Sequence, residues 1–294
     1  MLTGILAGLG AGALWGLVFV APRMVAGFGG IDLTAGRFVV YGLVSTLVLA
    51  VSWRRARQPT WAQALAALGL SMLGFTGYYW TLVLAIQDAG TEMPALIVGT
   101  IPIWVMLLGK PQGLRWAALL PGLLLTAAAL ALMAQAPVAA TTGAHYARGL
   151  AWALLAMTSW TAFTLLNAAW LRRHPEVSAA DWANWLGVAT GAGGLVLALG
   201  MGTPWPQLAT QPDWPFFVAV VLTIGVGSSW LATVLWNVAS QRLSASLCGQ
   251  LIVSETLFAL FYSFLWDDHW PTLAQGAAVV LFTVGILASI KAHR

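Results

Sequence analysis

The sequence predicts an all-α integral membrane protein of ten transmembrane helices, built as two inverted five-helix repeats. Three observations predict it: a composition too apolar for water, apolar runs of membrane length along the whole chain, and an echo between the two halves. Of the 294 residues, 60% are hydrophobic and only 7% charged, against about 45–50% and about 25% in soluble domains. Runs of about 20 apolar residues, enough for a helix to cross a hydrocarbon core of about 30 Å, recur from end to end. No soluble domain fits between them.

Charged and turn-forming residues place the spans near 3–25, 32–53, 61–87, 91–109, 115–134, 148–171, 182–200, 214–240, 244–266 and 272–290. Span 1 has no basic leader ahead of its apolar run, so it is read as retained rather than as a cleaved signal. Its Gly4, Gly8, Gly12 and Gly16 form a small-residue ridge, expected to admit another helix of the same chain. Span 2 opens with Asp32-Leu-Thr-Ala-Gly-Arg37-Phe. Spans 3 and 8 are long, about 40 Å at about 1.5 Å per residue. They should tilt or bend, with Gly74, Gly77, Gly225 and Gly227 as candidate bending points. Span 4 carries GTIPIWVMLL, and span 5 begins at Arg115. On span 6, Trp160, Thr164 and Asn167 share a helical face; span 7 runs from Asp181 towards Gly202. On span 8, Thr223, Gly227, Trp230, Asn237 and Gln241 share a face. Span 9, GQLIVSETLFALFYSF, holds one acid, Glu255, and span 10 ends at Lys291.

The 13 Lys and Arg residues orient the chain. With a cytoplasmic N-terminus, the inner connections hold Arg54, Arg55, Arg57, Lys110, Arg115, Arg172, Arg173, Arg242, Lys291 and Arg294, ten in all. Arg23, Arg37 and Arg148 are left outside. That asymmetry sets both termini inside. The net charge of +4 then reports topology and contact with anionic lipid rather than nucleic acid, for which no basic domain or module is present.

The halves echo each other. LWGLVFVAPRM around Trp15 matches SWTAFTLLNAAW around Trp160, and GYYWTLVLAIQ around Trp80 matches GSSWLATVLWN around Trp230, at offsets of 145 and 150. Pro102 aligns with Glu255 at an offset of 153. Residues 1–137 and 138–294 thus form two repeats of one membrane domain, and the odd span number inverts the second. Inverted halves are a common architecture of secondary transporters, which handle substrate near the bilayer midplane.

W-G-x-x-F-V around Trp15, the Asp32 to Phe38 segment, and the P-I-W-V and S-E-T-L-F-A-L stretches resemble the drug/metabolite transporter superfamily, EamA type, over essentially the whole chain. Length, tryptophan content and GYYW most resemble the YddG-like exporters of aromatic amino acids. The resemblance implies a bacterial inner-membrane transporter that exports small metabolites, aromatic or other hydrophobic amino acids above all, by alternating access. Members often carry Glu-Pro in span 9 and Gly-Glu soon after, where this chain has Glu255-Thr256 and Trp266-Asp267-Asp268.

Candidate substrate-binding residues follow from depth and phase. At about 100° per residue, Ser244, Cys248, Glu255, Tyr262 and Trp266 lie near one line on span 9. Trp53, Trp61, Trp116, Trp152, Trp170, Trp182, Trp185, Trp205, Trp214, Trp236, Trp266 and Trp270 lie towards span ends, where an interfacial belt accounts for them. Trp15, Trp80, Trp104, Trp160 and Trp230 remain at depth, and with Phe19, Tyr78, Tyr79, Thr164 and Asn167 they suit a substrate with an aromatic or aliphatic body and an ionic end. Hydrogen bonding between helices is the alternative for each polar residue. Glu255 sits near the bilayer centre, where a carboxylate costs at least about 2.5 kcal/mol, and no basic residue is expected at its depth. Three roles stay open for it: a hydrogen bond between helices, a proton-coupling site, or a contact to a substrate ammonium.

Enzyme chemistry finds no foothold. His145, His174, His269 and His293 lie in loops or at the terminus, Cys248 is the only cysteine, and Gly109-Lys110 lacks the rest of a phosphate-binding loop. No cofactor or metal is expected. The expected partners are a small-molecule substrate and the lipid bilayer, with transport either passive or coupled to protons and the protein itself a monomer. A membrane-embedded scaffold or enzyme is the competing class. The topology is testable: a reporter active only in the periplasm, fused after Arg294, should stay silent, and activity there refutes the orientation.

Overall fold

The computed structural model describes residues 1–52, 58–90, 92–133, 144–267, 270 and 272–293. Helices account for nearly all of them: α1 (Leu2–Met24), α2 (Gly30–Val51), α3 (Trp61–Ser71), α4 (Gly77–Ala89), α5 (Glu92–Gly99), α6 (Ile101–Leu108), α7 (Trp116–Met133), α8 (Ala144–Arg173), α9 (Ala179–Met201), α10 (Trp205–Leu208), α11 (Trp214–Ile224), α12 (Ala232–Arg242), α13 (Ala245–Asp267) and α14 (Leu273–Ala292). Nine stretches among the described residues are long and apolar enough to cross a membrane; Trp61–Ala89 and Trp214–Arg242 each join two α-helices. Trp53, Arg54, Arg55, Arg57, Asp268, His269 and Arg294 lie outside the described residues.

Span 4, the one expected span missing from these nine, is not a continuous helix. It divides into α5 and α6 at Thr100, because Pro102 has no N–H to give the carbonyl one turn back. Thr100 closes the break by donating its hydroxyl to the Ile97 carbonyl at 2.7 Å. In the two long spans the candidate bending points fall in or beside π-helical turns, at Met72–Thr76 and Gly225–Leu231. They occupy corresponding places in the two halves, immediately before GYYW and across GSSW. A wider turn drives the Met72 carbonyl against Gly77, where an added Cβ would stand 2.6 Å from the oxygen, so glycine is required there.

With lipid outside, helices gain little from hiding apolar surface from one another, and close van der Waals packing decides the pairings. The ridge of α1 is filled by the chain's own α12–α13 region. A Cβ on Gly8 would meet Leu251, on Gly12 Ser254, and on Gly16 the backbone of Ala259. α2 crosses α9 with Gly42 against Gly191, α7 pairs with α14, and α4 with α8. These pairings map onto themselves when each span is exchanged for the one five places later: α1 rests on the π-turn span and α13, and α8 on the other π-turn span and α5–α6.

Buried polar groups join the helices at the end of the bundle where α1 begins, here called the Met1 end. Trp182 Nε1 donates to Asn167 Oδ1 at 2.7 Å, Asn167 Nδ2 to Asn237 Oδ1 at 3.0 Å, and Gln241 Nε2 to the Val177 carbonyl at 3.0 Å. Ser246 N donates to the Gly109 carbonyl. Elsewhere Gln250 links Thr126 and Ser289, and Tyr41 donates to the Ala183 carbonyl at 2.6 Å. At the opposite end Arg148 holds Asp88 through two bonds of 2.7 Å, and Arg23 donates to Ser263. Three tryptophans assigned to the interfacial belt are instead buried: Trp182, Trp185 and Trp236. Distance from a span end measures depth along the membrane normal, whereas burial depends on which side of the helix meets a neighbour.

The α1–α13 contact is the tightest test of this packing. Gly16→Leu should cost about 1–3 kcal/mol as overpacking and lower the thermal midpoint of the detergent-solubilised protein by several degrees. Gly69→Ala, where nothing lies within 4 Å of the added atom, should not lower it. Equal midpoints for the two variants would show that the ridge is not a packing surface.

Candidate functional site

The structure does not bring the expected site residues together in one place. Trp15 and Trp160 meet edge to face at 6.2 Å, and Trp236 completes the cluster, at 5.3 Å from Trp15 and 6.4 Å from Trp160. Trp236, only 1% exposed, had been placed in the belt; its signal was the repeated WLATVLWN segment, which puts it six residues beyond Trp230. Thr164, Asn167 and Cys248 are fully buried at the Met1 end. Thr164 donates to its own helix at the Trp160 carbonyl, Asn167 is bonded on both sides, and Ser244 caps the start of α13 by accepting from Leu247 N. In this structure the partner of each of these four is a neighbouring helix or its own backbone. Trp230 is half-buried and donates to Asn184 Oδ1 at 2.9 Å.

Three expected residues do not join the ring cluster. Trp80 is 49% exposed, since Tyr79 takes the inward position and the next residue is turned by about 100°. Trp104 is 43% exposed, because α6 buries Ile101, Pro102, Val105 and Met106 and leaves Trp104 and Leu108 on the opposite stripe. Phe19, 56% exposed, stands one turn beyond Trp15, past the end of the cluster. Tyr262 lines an apolar groove of about 410 Å³ where α1, α11 and α13 diverge, with Val20, Met24, Phe216, Thr223 and Trp266.

The remaining group lies near mid-depth and contains the residue that sequence reasoning misplaced. Arg37 is not in an outer connection. It sits two turns inside α2, about 10 Å from the helix start at about 1.5 Å per residue, and is only 9% exposed. Asp32, which accepts from Thr203 N and Oγ1 at 2.7 Å each, anchors the start of that helix. The Arg37 guanidinium lies over the rings of Phe38, at 4.9 Å, and Tyr79, at 5.4 Å. Tyr78 and Tyr79 follow directly on the first π-turn and meet edge to face at 6.1 Å. Glu255, half-buried midway along α13, is within electrostatic range of Arg37, and Tyr78 is within range of both. Among the described residues Glu255 has no hydrogen-bond partner, so the bond between helices that was one of its expected roles is not formed. The signal for Arg37 was its phase: it lies inside the apolar run of span 2 rather than ahead of it.

The arrangement can hold a small molecule by ring contacts and by one charge of each sign; among the described residues no group of three or more His, Cys, Asp or Glu could hold a metal ion.

Comparison with known proteins agrees with this architecture. A solved crystal structure matches with a TM-score of 0.79, covering 99% of this chain and 97% of the other at 20% identity, which establishes a shared fold. Inner membrane protein YtfF of Escherichia coli K12 is 32% identical over 308 aligned positions, 99% of this chain and 96% of the relative. The EamA-like transporter family model matches residues 2–134 and 147–290. A multi-pass helical bundle with these matches along nearly its whole length belongs to the EamA-like transporter family, within the drug/metabolite transporter superfamily.

Proposed function

We propose that the chain is an inner-membrane secondary transporter, exporting small metabolites, aromatic or other hydrophobic amino acids first among them, by alternating access. Its two halves, 1–137 and 138–294, act as inverted five-helix units, with α5 and α6 together counting as one broken span. The self-mapping of the helix pairings and the π-turns at matching places support that reading. Both termini face the cytoplasm.

One observation carries the functional reading: rings and opposite charges gather at mid-depth, at Arg37, Tyr78, Tyr79 and Glu255, while the Met1 end beyond them is packed and cross-bonded. Substrate handled between inverted halves requires a site of this kind, closed on one side. The tryptophan cluster supplies the apolar wall. Glu255 keeps two roles, coupling to protons and contact with a substrate ammonium. The competing scaffold reading draws on the hydrogen-bonded stripes of α8 and α12, which are satisfied within the protein.

Counterflow of radiolabelled L-phenylalanine and L-tryptophan into liposomes containing only this protein separates the two readings. A transporter of this class gives saturable exchange and a scaffold gives none. Within the transporter reading, Trp160→Ala removes a ring contact of about 0.5–1.5 kcal/mol beyond its buried area. Exchange should weaken several-fold, whereas Trp61→Ala, on the bundle's exposed surface, should leave it unchanged. Equal effects at the two positions would remove the tryptophan cluster from the site.

A further inference from the structure

Arg37 is a poor candidate for a structural arginine. It is more than nine-tenths buried, its Nε is shielded and has no hydrogen-bond partner, and among the described residues no carboxylate forms an ion pair with it. A buried guanidinium normally pays for its desolvation with a fork of bonds to an anion. Here its faces are covered instead, by Phe38 and Tyr79, which orient the plane without using its N–H groups. Glu255 presents the complementary problem: a half-buried carboxylate at mid-depth, likewise without a hydrogen bond, close enough to feel the Arg37 charge and too far to touch it. Tyr78 lies within electrostatic range of both.

Opposite charges within electrostatic range that do not close into an ion pair suit a ligand with the opposite pair. Resting on the transporter reading above, we infer that Arg37 and Glu255 are the two poles of a clamp for a zwitterion, the guanidinium taking the α-carboxylate and Glu255 the α-ammonium of an amino acid. A free carboxylic acid satisfies Arg37 and opposes Glu255. A free amine does the reverse. Only a molecule carrying both ends leaves neither buried charge unpaired, and an unpaired buried charge costs far more than the loss of one favourable contact. The planar fork of arginine matches a carboxylate in two bonds, which lysine does not reproduce. Tyr78 and Tyr79, packed edge to face, stand where the carbon skeleton of the ligand begins.

Binding of radiolabelled L-phenylalanine to the detergent-solubilised full chain, competed with phenethylamine and 3-phenylpropanoate, tests the clamp. In the unmodified protein both analogues should compete roughly tenfold or more weakly than L-phenylalanine, the loss expected for leaving a charge-assisted contact unmade. Arg37→Gln should weaken L-phenylalanine by a similar factor and phenethylamine by less than twofold. Glu255→Gln should do the same for 3-phenylpropanoate. Arg37→Lys, which keeps the charge, should fall between Arg37→Gln and the unmodified protein. The analogue comparison in the unmodified protein decides the matter even where a variant fails to fold. If either analogue competes as well as L-phenylalanine, or if the variants weaken all three ligands alike, the clamp is overturned while transport stands. If the unmodified protein neither binds nor exchanges any of the twenty amino acids but exchanges a simple amine or acid, the clamp is again overturned and only the substrate class of the transporter changes. Absence of saturable exchange for every compound overturns both.

Discussion

Inside a bilayer core only the protein itself can satisfy a polar group, and the Asn167–Asn237 hydrogen bond shows what that constraint does to this bundle. Each amide is fully buried, each is the other's partner, and Trp182 bonds the oxygen of Asn167 while the Ala179 carbonyl accepts from Asn237. Three helices, α8, α9 and α12, are thereby held in one register at the Met1 end. Removing either amide leaves a donor or acceptor with no water to turn to, a loss of about 1–3 kcal/mol for each buried group left unsatisfied. The same logic accounts for Gln250 between Thr126 and Ser289, and for Tyr41 on the Ala183 carbonyl.

Small residues supply the second kind of order. Because lipid tails are as apolar as leucine, α1 gains its place against α13 through proximity, and its glycine ridge lets the backbone approach within contact of Ser254 and Ala259. The two π-turns belong to this economy of space. Each widens a long helix where glycine permits it, and each places an aromatic segment, GYYW or GSSW, next to the middle of the bundle. A membrane helix tolerates such irregular turns where neighbouring helices cover them, as Phe163 covers Gly74 and Val40 covers Gly225.

Several buried hydroxyls and the Trp185 and Trp236 indoles also lack a bond, but Arg37 and Glu255 differ from them in being ionisable groups within the span. The protein keeps two ionisable groups within the span without letting them pair. Retaining such a cost is characteristic of groups that act on something else, and intramembrane ionisable residues mark substrate and ion pathways for that reason. The aromatic wall is less costly, and it is arranged by contact between rings, Trp15 with Trp160 and Trp236, Arg37 with Tyr79.

The sequence by itself determined the solvent, the helical class and the family, because composition and run length follow from the bilayer's thickness and apolarity. It also determined local devices that a helix carries alone: the ridge of Gly4, Gly8, Gly12 and Gly16, the irregular turns beside Gly77 and Gly225, and the anomaly of Glu255. Tertiary structure decided which face meets which helix. The line through Ser244, Cys248, Glu255 and Tyr262 looked continuous by phase, yet it splits into a cap, a core residue, an unpaired acid and a groove wall. Trp236 moved from the belt to the core. Arg37, counted among outer charges, came to lie near Glu255 from the other half of the chain. Helical periodicity fixes an angle about one axis only; how the axes are placed, and so which charges share a site, depends on contacts between residues far apart in the chain, which no local pattern encodes.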